Sequence, residues 1–98
     1  MLGQNKAHAA VCNRIFKRYG GRLGRYEGPD VQASGFLVEV ETTATLEDGK
    51  NSLLRQEGPR YLAVTNREAV PEALKVVAGT PLGVMDPQGN ILRPYAST

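Results

Sequence analysis

The run Phe36-Leu37-Val38-Glu39-Val40-Glu41 constrains this chain more than any other segment. Successive side chains of a strand point to opposite faces. Phe36, Val38 and Val40 therefore share one face, and Leu37, Glu39 and Glu41 share the other. A repeat of two does not fit a helix, so a strand is predicted over 36–44. Ser34-Gly35 before it reads as a tight turn, and residues 30–34 as the antiparallel arm of a hairpin. Glu39 and Glu41 then stand about 7 Å apart at their Cα atoms. Hairpin strands lie about 5 Å apart, which brings Asp30, at the start of the first arm, near both. Three converging carboxylates repel one another, and water, a basic partner or a hard cation must relieve that. Magnesium favours carboxylate oxygens and keeps its waters, so Asp30, Glu39 and Glu41 are candidate metal ligands for Mg2+ or Mn2+. The alternative is a solvated strand face paired with lysine or arginine.

The flanks set this hairpin in an α/β pattern. Ala7, Val11, Ile15 and Tyr19 recur every fourth residue, widened by Cys12 and Phe16, and predict a helix over 5–19. Gly20-Gly21 ends it, and 22–28 can open a strand. After the acidic strand, Thr45 with Asp48 three residues on suggests a capped helix start, with the helix over 46–57. Gly49 weakens that helix by about 1 kcal/mol relative to alanine. Gly58-Pro59 closes it, and 60–65 reads as a strand. Pro71 opens a helix over 71–78 that Gly79 ends. Residues 82–86 form another strand, Asp86-Pro87-Gln88-Gly89 a turn, and 90–95 a short strand or extended tail. The order α-β-β-α-β-α-β implies a mixed sheet with at least one parallel pair, flanked by helices. A chain of 98 residues is expected to form one domain, spanning 1–98.

Composition narrows the chemistry. One cysteine, Cys12, and one histidine, His8, leave no internal disulfide, no cysteine cage and no second histidine for a relay. Cys12 is expected to pack in the core and His8 to lie on the surface. No apolar run approaches the roughly 20 residues of a membrane span, and the first residues lack a signal-type apolar core. A cytoplasmic protein is expected, without membrane contact. The net charge of +2 hides an asymmetry, since residues 1–26 carry +6 and residues 27–98 carry −4. Arg14, Lys17 and Arg18 share one helix face, and Arg22 and Arg25 follow. A clustered basic face suits a polyanion such as DNA; the alternative is a solvated helix face.

The runs Gly28-Pro29-Asp30-Val31 and Phe36-Leu37-Val38-Glu39-Val40-Glu41-Thr42 resemble the core signature of the PD-(D/E)XK nuclease superfamily. Within it, the chain is most similar to small single-domain members of the Holliday-junction-resolvase and virus-type replication-repair kinds. The likeness covers residues 7–86. It implies a restriction-endonuclease-like core, with Asp30 and Glu39 as metal-binding acids and Gln56, late in the next helix, near a phosphate or metal-bound water; the alternative for Gln56 is a cap on a carbonyl near Gly58. Glu41 stands where the pattern has its lysine. A third acid strengthens metal binding and can serve as the base, while Lys50 on the following helix can reach in to replace the missing charge. The alternative for Lys50 is a solvated helix residue.

The expected function is that of a metal-dependent endonuclease, a hydrolase of DNA phosphodiester bonds. Asp30, Glu39, Glu41 and Lys50 are the candidate catalytic residues. Arg14, Lys17, Arg18, Arg22, Arg25 and Gln56 are the candidate contacts to nucleic acid. No base-reading motif is visible, so DNA, branched DNA included, is expected to be recognised by structure rather than sequence. Two cuts from so small a module imply a homodimer. The alternative is a non-catalytic nucleic-acid-binding or assembly module on the same fold.

Overall fold

The computed structural model describes residues 6–24 and 29–96. Helix α1 spans Lys6–Tyr19 and buries Val11, Cys12 and Ile15 of the predicted stripe, with Phe16 and Tyr19 half-buried and Ala7 exposed. Gly20 stops it at φ 77°, and its N–H returns to the Phe16 carbonyl at 2.7 Å. Gly21 must stay glycine for a steric reason as well. A Cβ there would sit 2.0 Å from the Gln32 carbonyl oxygen, where the next strand passes.

Six strands follow: β1 Arg22–Leu23, β2 Val31–Ala33, β3 Phe36–Glu41, β4 Arg60–Val64, β5 Gly83–Met85 and β6 Ile91–Arg93. They form one sheet in chain order. The β1–β2 and β2–β3 pairs are antiparallel, β3–β4 and β4–β5 are parallel, and β5–β6 is antiparallel again. Helix α2, Leu46–Leu54, joins β3 to β4, and α3, Val70–Val76, joins β4 to β5. The hairpin, the parallel pair and the mixed sheet thus stand as the sequence implies, with β1 as an added edge strand.

The sheet is covered on both sides. Val38, Val40, Tyr61, Ala63 and Met85 pack with Val11, Cys12 and Ile15 of α1. Leu62, Val64 and Val84 pack with Leu46, Leu53, Ala73 and Val77 from the α2 and α3 side. All five residues of β4 are buried, as a central parallel strand requires. Ile15, Leu53, Leu62, Leu82 and Met85 sit at zero exposure. Fully burying each contributes about 1.5–3 kcal/mol. Among the described residues no helix is long and apolar enough to cross a membrane.

The elements are shorter than their patterns suggest. The acidic strand ends at Glu41 rather than 44, because residues Thr43–Thr45 turn as a 3-10 segment before α2. The cap therefore differs from the expected Thr45–Asp48 box. Thr45 Oγ1 instead accepts the Thr42 N–H at 3.0 Å. Helix α2 stops at Leu54, three residues early. The side chain of Arg60, 8 % exposed, reaches back and donates to the Leu53, Gln56 and Gly58 carbonyls at 3.0, 2.7 and 2.6 Å. Arg93 does the same for α3, donating to Val77 and Thr80 carbonyls at 3.0 and 2.8 Å. Orphan carbonyls at helix ends need such donors. Helix α3 begins at Val70 after a 3-10 turn that Asn66 caps, accepting the Ala69 N–H at 3.0 Å.

Candidate metal centre

Asp30, Glu39 and Glu41 converge. Each offers a carboxylate oxygen, and these oxygens lie within 4.8 Å of one another. Register explains why. Val31 pairs with Val38, so Asp30, one residue earlier, faces Glu39, one residue later. Its Oδ2 accepts the Val40 N–H at 2.7 Å, which pins the carboxylate over β3. Glu39 and Glu41 occupy the carboxyl-terminal half of β3, the strand at which the sheet changes from antiparallel to parallel. Both acids therefore stand near the carboxyl end of a strand parallel to its neighbour β4.

The cluster is half enclosed. Glu39 is 8 % exposed, while Asp30 and Glu41 are half-buried. Burial pushes the Glu39 carboxyl up to about 8, and the charges of Asp30 and Glu41 push the same way; a hydrogen bond from Ser52 opposes them. Burial also raises Glu41, against a hydrogen bond from Thr45. A proton held on Glu39 relieves part of the repulsion. A hard cation relieves it more fully, and three carboxylates within reach of one point are the donor set magnesium or manganese takes.

Two supporting residues are absent from the sequence reading of the site. Ser52 of α2 donates to Glu39 Oε2 at 3.3 Å. Gly49 makes room for the third acid. A Cβ at position 49 would lie 2.4 Å from Glu41 Cγ and 2.8 Å from its Oε2. The signal was present as a glycine in the middle of an amphipathic helix, read only as a weakness. It is instead a close approach between α2 and the Glu41 side chain.

Lys50 points its ammonium at Glu47, three residues back on the same helix. Gln56 lies beyond the end of α2, and its backbone carbonyl accepts from Arg60. Tyr61 is buried and stacks edge-to-face on Phe36, centroids 5.3 Å apart. His8 departs from the expected surface position, being half-buried with Nε2 3.3 Å from Asp30 Oδ2. Cys12 is buried as expected. Burial and the charges of Asp30, Glu39 and Glu41 push its thiol up to about 12.

The basic residues lie along α1 and β1. Arg14, Lys17 and Arg18 are exposed on α1. Arg14 donates to the Pro87 carbonyl at 2.8 Å, and Arg18 to Gln88 O and Asn90 Oδ1 at 3.2 and 2.7 Å. Arg22 donates to Gln32 Oε1 at 3.0 Å. Each guanidinium has five N–H donors, so these contacts leave others for a phosphate. At 1.5 Å per residue, the basic stretch starts about 9 Å along the helix from His8, beside the acidic cluster. Arg25 and Gly28 lie outside the described residues.

Comparison of the chain with family models, curated proteins and solved structures finds no match. Fold and site together define an α/β domain with a mixed six-stranded sheet and an acidic cluster able to take a metal ion.

Proposed function

We propose that this domain is a divalent-cation-dependent phosphodiesterase acting on DNA, built on a restriction-endonuclease-like core. One observation carries the reading: Asp30, Glu39 and Glu41 gather their oxygens within 4.8 Å at the carboxyl end of β3. These three residues would hold magnesium or manganese. Such an ion activates water for attack on phosphorus and stabilises the charge that develops there.

The chain's own residues supply the rest. Asp30 is fixed by the Val40 N–H and keeps its second oxygen for the ion. Glu39 loses its proton to make way for the cation, with Ser52 as the donor that supports its charged form. Glu41, raised above the ordinary glutamate value, is the base that takes a proton from the attacking water. Arg14, Lys17, Arg18 and Arg22 bind phosphates and position the strand without reading bases. The longest extent of the domain, 35 Å, covers about ten base pairs at 3.4 Å each. Cutting both strands then calls for a homodimer.

The pairing of Lys50 with Glu47 favours one second reading, a module that binds nucleic acid without cutting it. In the nuclease pattern a lysine supplies positive charge beside the acids, and here that ammonium is engaged on its own helix. One assay separates the two. Single-stranded, duplex and four-way branched DNA are incubated with magnesium or manganese beside Asp30→Asn, whose amide oxygen can still accept the Val40 N–H. Cleavage lost in the variant supports the enzyme. Binding without cleavage transfers the reading to the module, and neither binding nor cleavage removes both.

A further inference from the structure

Asp30 takes part in a second cluster. His8 and Cys12 stand four residues apart on α1, so both project from one face toward the start of β2. His8 Nε2 lies 3.3 Å from Asp30 Oδ2 and 3.9 Å from Cys12 Sγ. The imidazole nitrogen, the thiol sulfur and the carboxylate oxygen all fall within 4.8 Å of one another. These groups come from two elements about 20 residues apart in the chain, and their chemistry differs from the neighbouring all-oxygen set.

Two of these spacings can be compared with a known polyhedron. A tetrahedral zinc ion has bonds of about 2.0–2.1 Å to nitrogen, about 2.0–2.2 Å to oxygen and about 2.3 Å to sulfur. The corresponding edges are about 3.4 Å for nitrogen to oxygen and about 3.6 Å for nitrogen to sulfur. His8 Nε2 to Asp30 Oδ2 is within about 0.1 Å of its edge, and His8 Nε2 to Cys12 Sγ within about 0.3 Å. Sγ also stands 3.7 Å from Nδ1, so the imidazole must turn about its Cβ–Cγ bond to aim Nε2 at an ion shared with the sulfur. Oδ2 has two lone pairs, so it can accept the Val40 N–H and still face an ion. The surroundings also favour positive charge, because Asp30, Glu39 and Glu41 all act on the buried thiol.

We propose that His8, Cys12 and Asp30 form a site for a borderline-soft dication of the zinc class, with one coordination position left for water. The thiol proton leaves to solvent when the sulfur ligates. Imidazole and thiolate select zinc, cobalt or iron over magnesium, whereas the Glu39–Glu41 side of Asp30 selects the reverse. Asp30 would thus be shared between a soft and a hard position. This site stands on its own geometry and holds whether or not the domain cuts DNA.

Cobalt(II) added to the full chain provides the test. Cys12 is the chain's one cysteine, so any thiolate-to-cobalt charge-transfer absorption reports it alone. The band should saturate at one equivalent, survive a hundredfold excess of magnesium, and vanish on adding zinc. Cys12→Ser should abolish it, and His8→Asn should weaken cobalt affinity at least tenfold. No band with the wild-type chain, or a band indifferent to His8→Asn, would overturn the site. Should a variant not fold, zinc X-ray absorption of the wild-type chain decides: one sulfur among lighter ligands supports the site, and none removes it. A cobalt band in a chain that cleaves nothing upholds this site and removes only the hydrolase reading.

Discussion

Glu39 and Asp86 are both buried carboxylates, 8 % and 2 % exposed, yet they behave in opposite ways. Asp86 sits at the turn after β5. Its Oδ1 accepts the Gln88 and Asn90 N–H groups at 2.8 and 2.9 Å, its Oδ2 accepts Asn90 Nδ2 at 2.9 Å, and Arg67 Nη2 stands 3.6 Å away. Burial alone would raise it, but the hydrogen bonds from Asn90 and Gln88, with the Arg67 charge, outweigh burial and hold it below the ordinary aspartate range. Glu39 meets the same burial with two more acids and a single hydroxyl, and is pushed up. Burial raises both carboxyls; the sign depends on whether hydrogen bonds and opposite charge outweigh it. The turn is a completed structure, whereas the cluster sets three acids against one another with His8 beside Asp30.

Substitution should separate the two most sharply. Asp86→Ala strands three N–H donors and removes the ion pair to exposed Arg67, and should lower stability by about 3 kcal/mol in urea unfolding. Glu39→Gln removes a repulsive charge and should leave stability unchanged or raise it by about 1 kcal/mol in metal-free buffer at alkaline pH. Equal losses at both positions would erase the contrast.

The pH dependence should carry opposite signs. Unfolded Glu39 loses its proton near 4.5, while the folded form keeps it up to about 8. The folded state therefore binds more protons across that window. Stability should fall from about pH 4.5 to 8, on the order of 3 kcal/mol, and then level off. Asp86 works the other way: its contribution is complete above 3.8 and is lost as pH drops through its lower folded value. Urea midpoints across this range, with and without Glu39→Gln, check both limbs. A decline that persists unaltered in the variant would assign it to another group.

Magnesium should act on the cluster and not on the turn. At a hundredfold excess over its dissociation constant it should stabilise the chain by about 2.7 kcal/mol. The effect should be larger at about pH 8.5 than at about pH 6, where the ion must displace the Glu39 proton. Asp30→Asn should remove it. A melting temperature indifferent to millimolar magnesium would count directly against the centre.

The smallest effect on stability should come from Gly49→Ala. Alanine gains about 1 kcal/mol of helix propensity. Its Cβ would lie 2.4 Å from Glu41 Cγ and force that side chain to swing aside, so the two effects should nearly cancel. Magnesium affinity should fall nonetheless, because the third ligand has been moved. Calorimetric titration reads this directly, and unchanged affinity would mean Glu41 is not a ligand.

Legibility in the sequence followed locality. The α1 stripe, the alternation in β3 and the Ser34-Gly35 turn depend on near neighbours, and these elements stand within a few residues of their patterns. Asp30 facing Glu39 was legible too, since a tight hairpin fixes register. What escaped has two sources. Arg60 reads as the first residue of an apolar strand; its contacts lie two to seven residues back, but periodicity does not show a side chain folding back on a helix end. Gly49 and Ser52 escaped because their role exists only once α2 lies along β3. His8 was placed at the surface because the spacing of α1 shows which face is apolar, but not that its first turns lie over Asp30.

The strands stand in the sheet in the order in which the ribosome delivers them. Each finds its partner already present, and no strand waits for a later one to be inserted between neighbours. His8, Cys12, Asp30, Glu39 and Glu41 all belong to the part made first, before β4 exists to back the sheet. The growing chain therefore gathers its most self-repelling charges while its central strand is still missing. A cation captured at that stage would bind a hairpin and a helix, and would favour their association before the later strands complete the sheet.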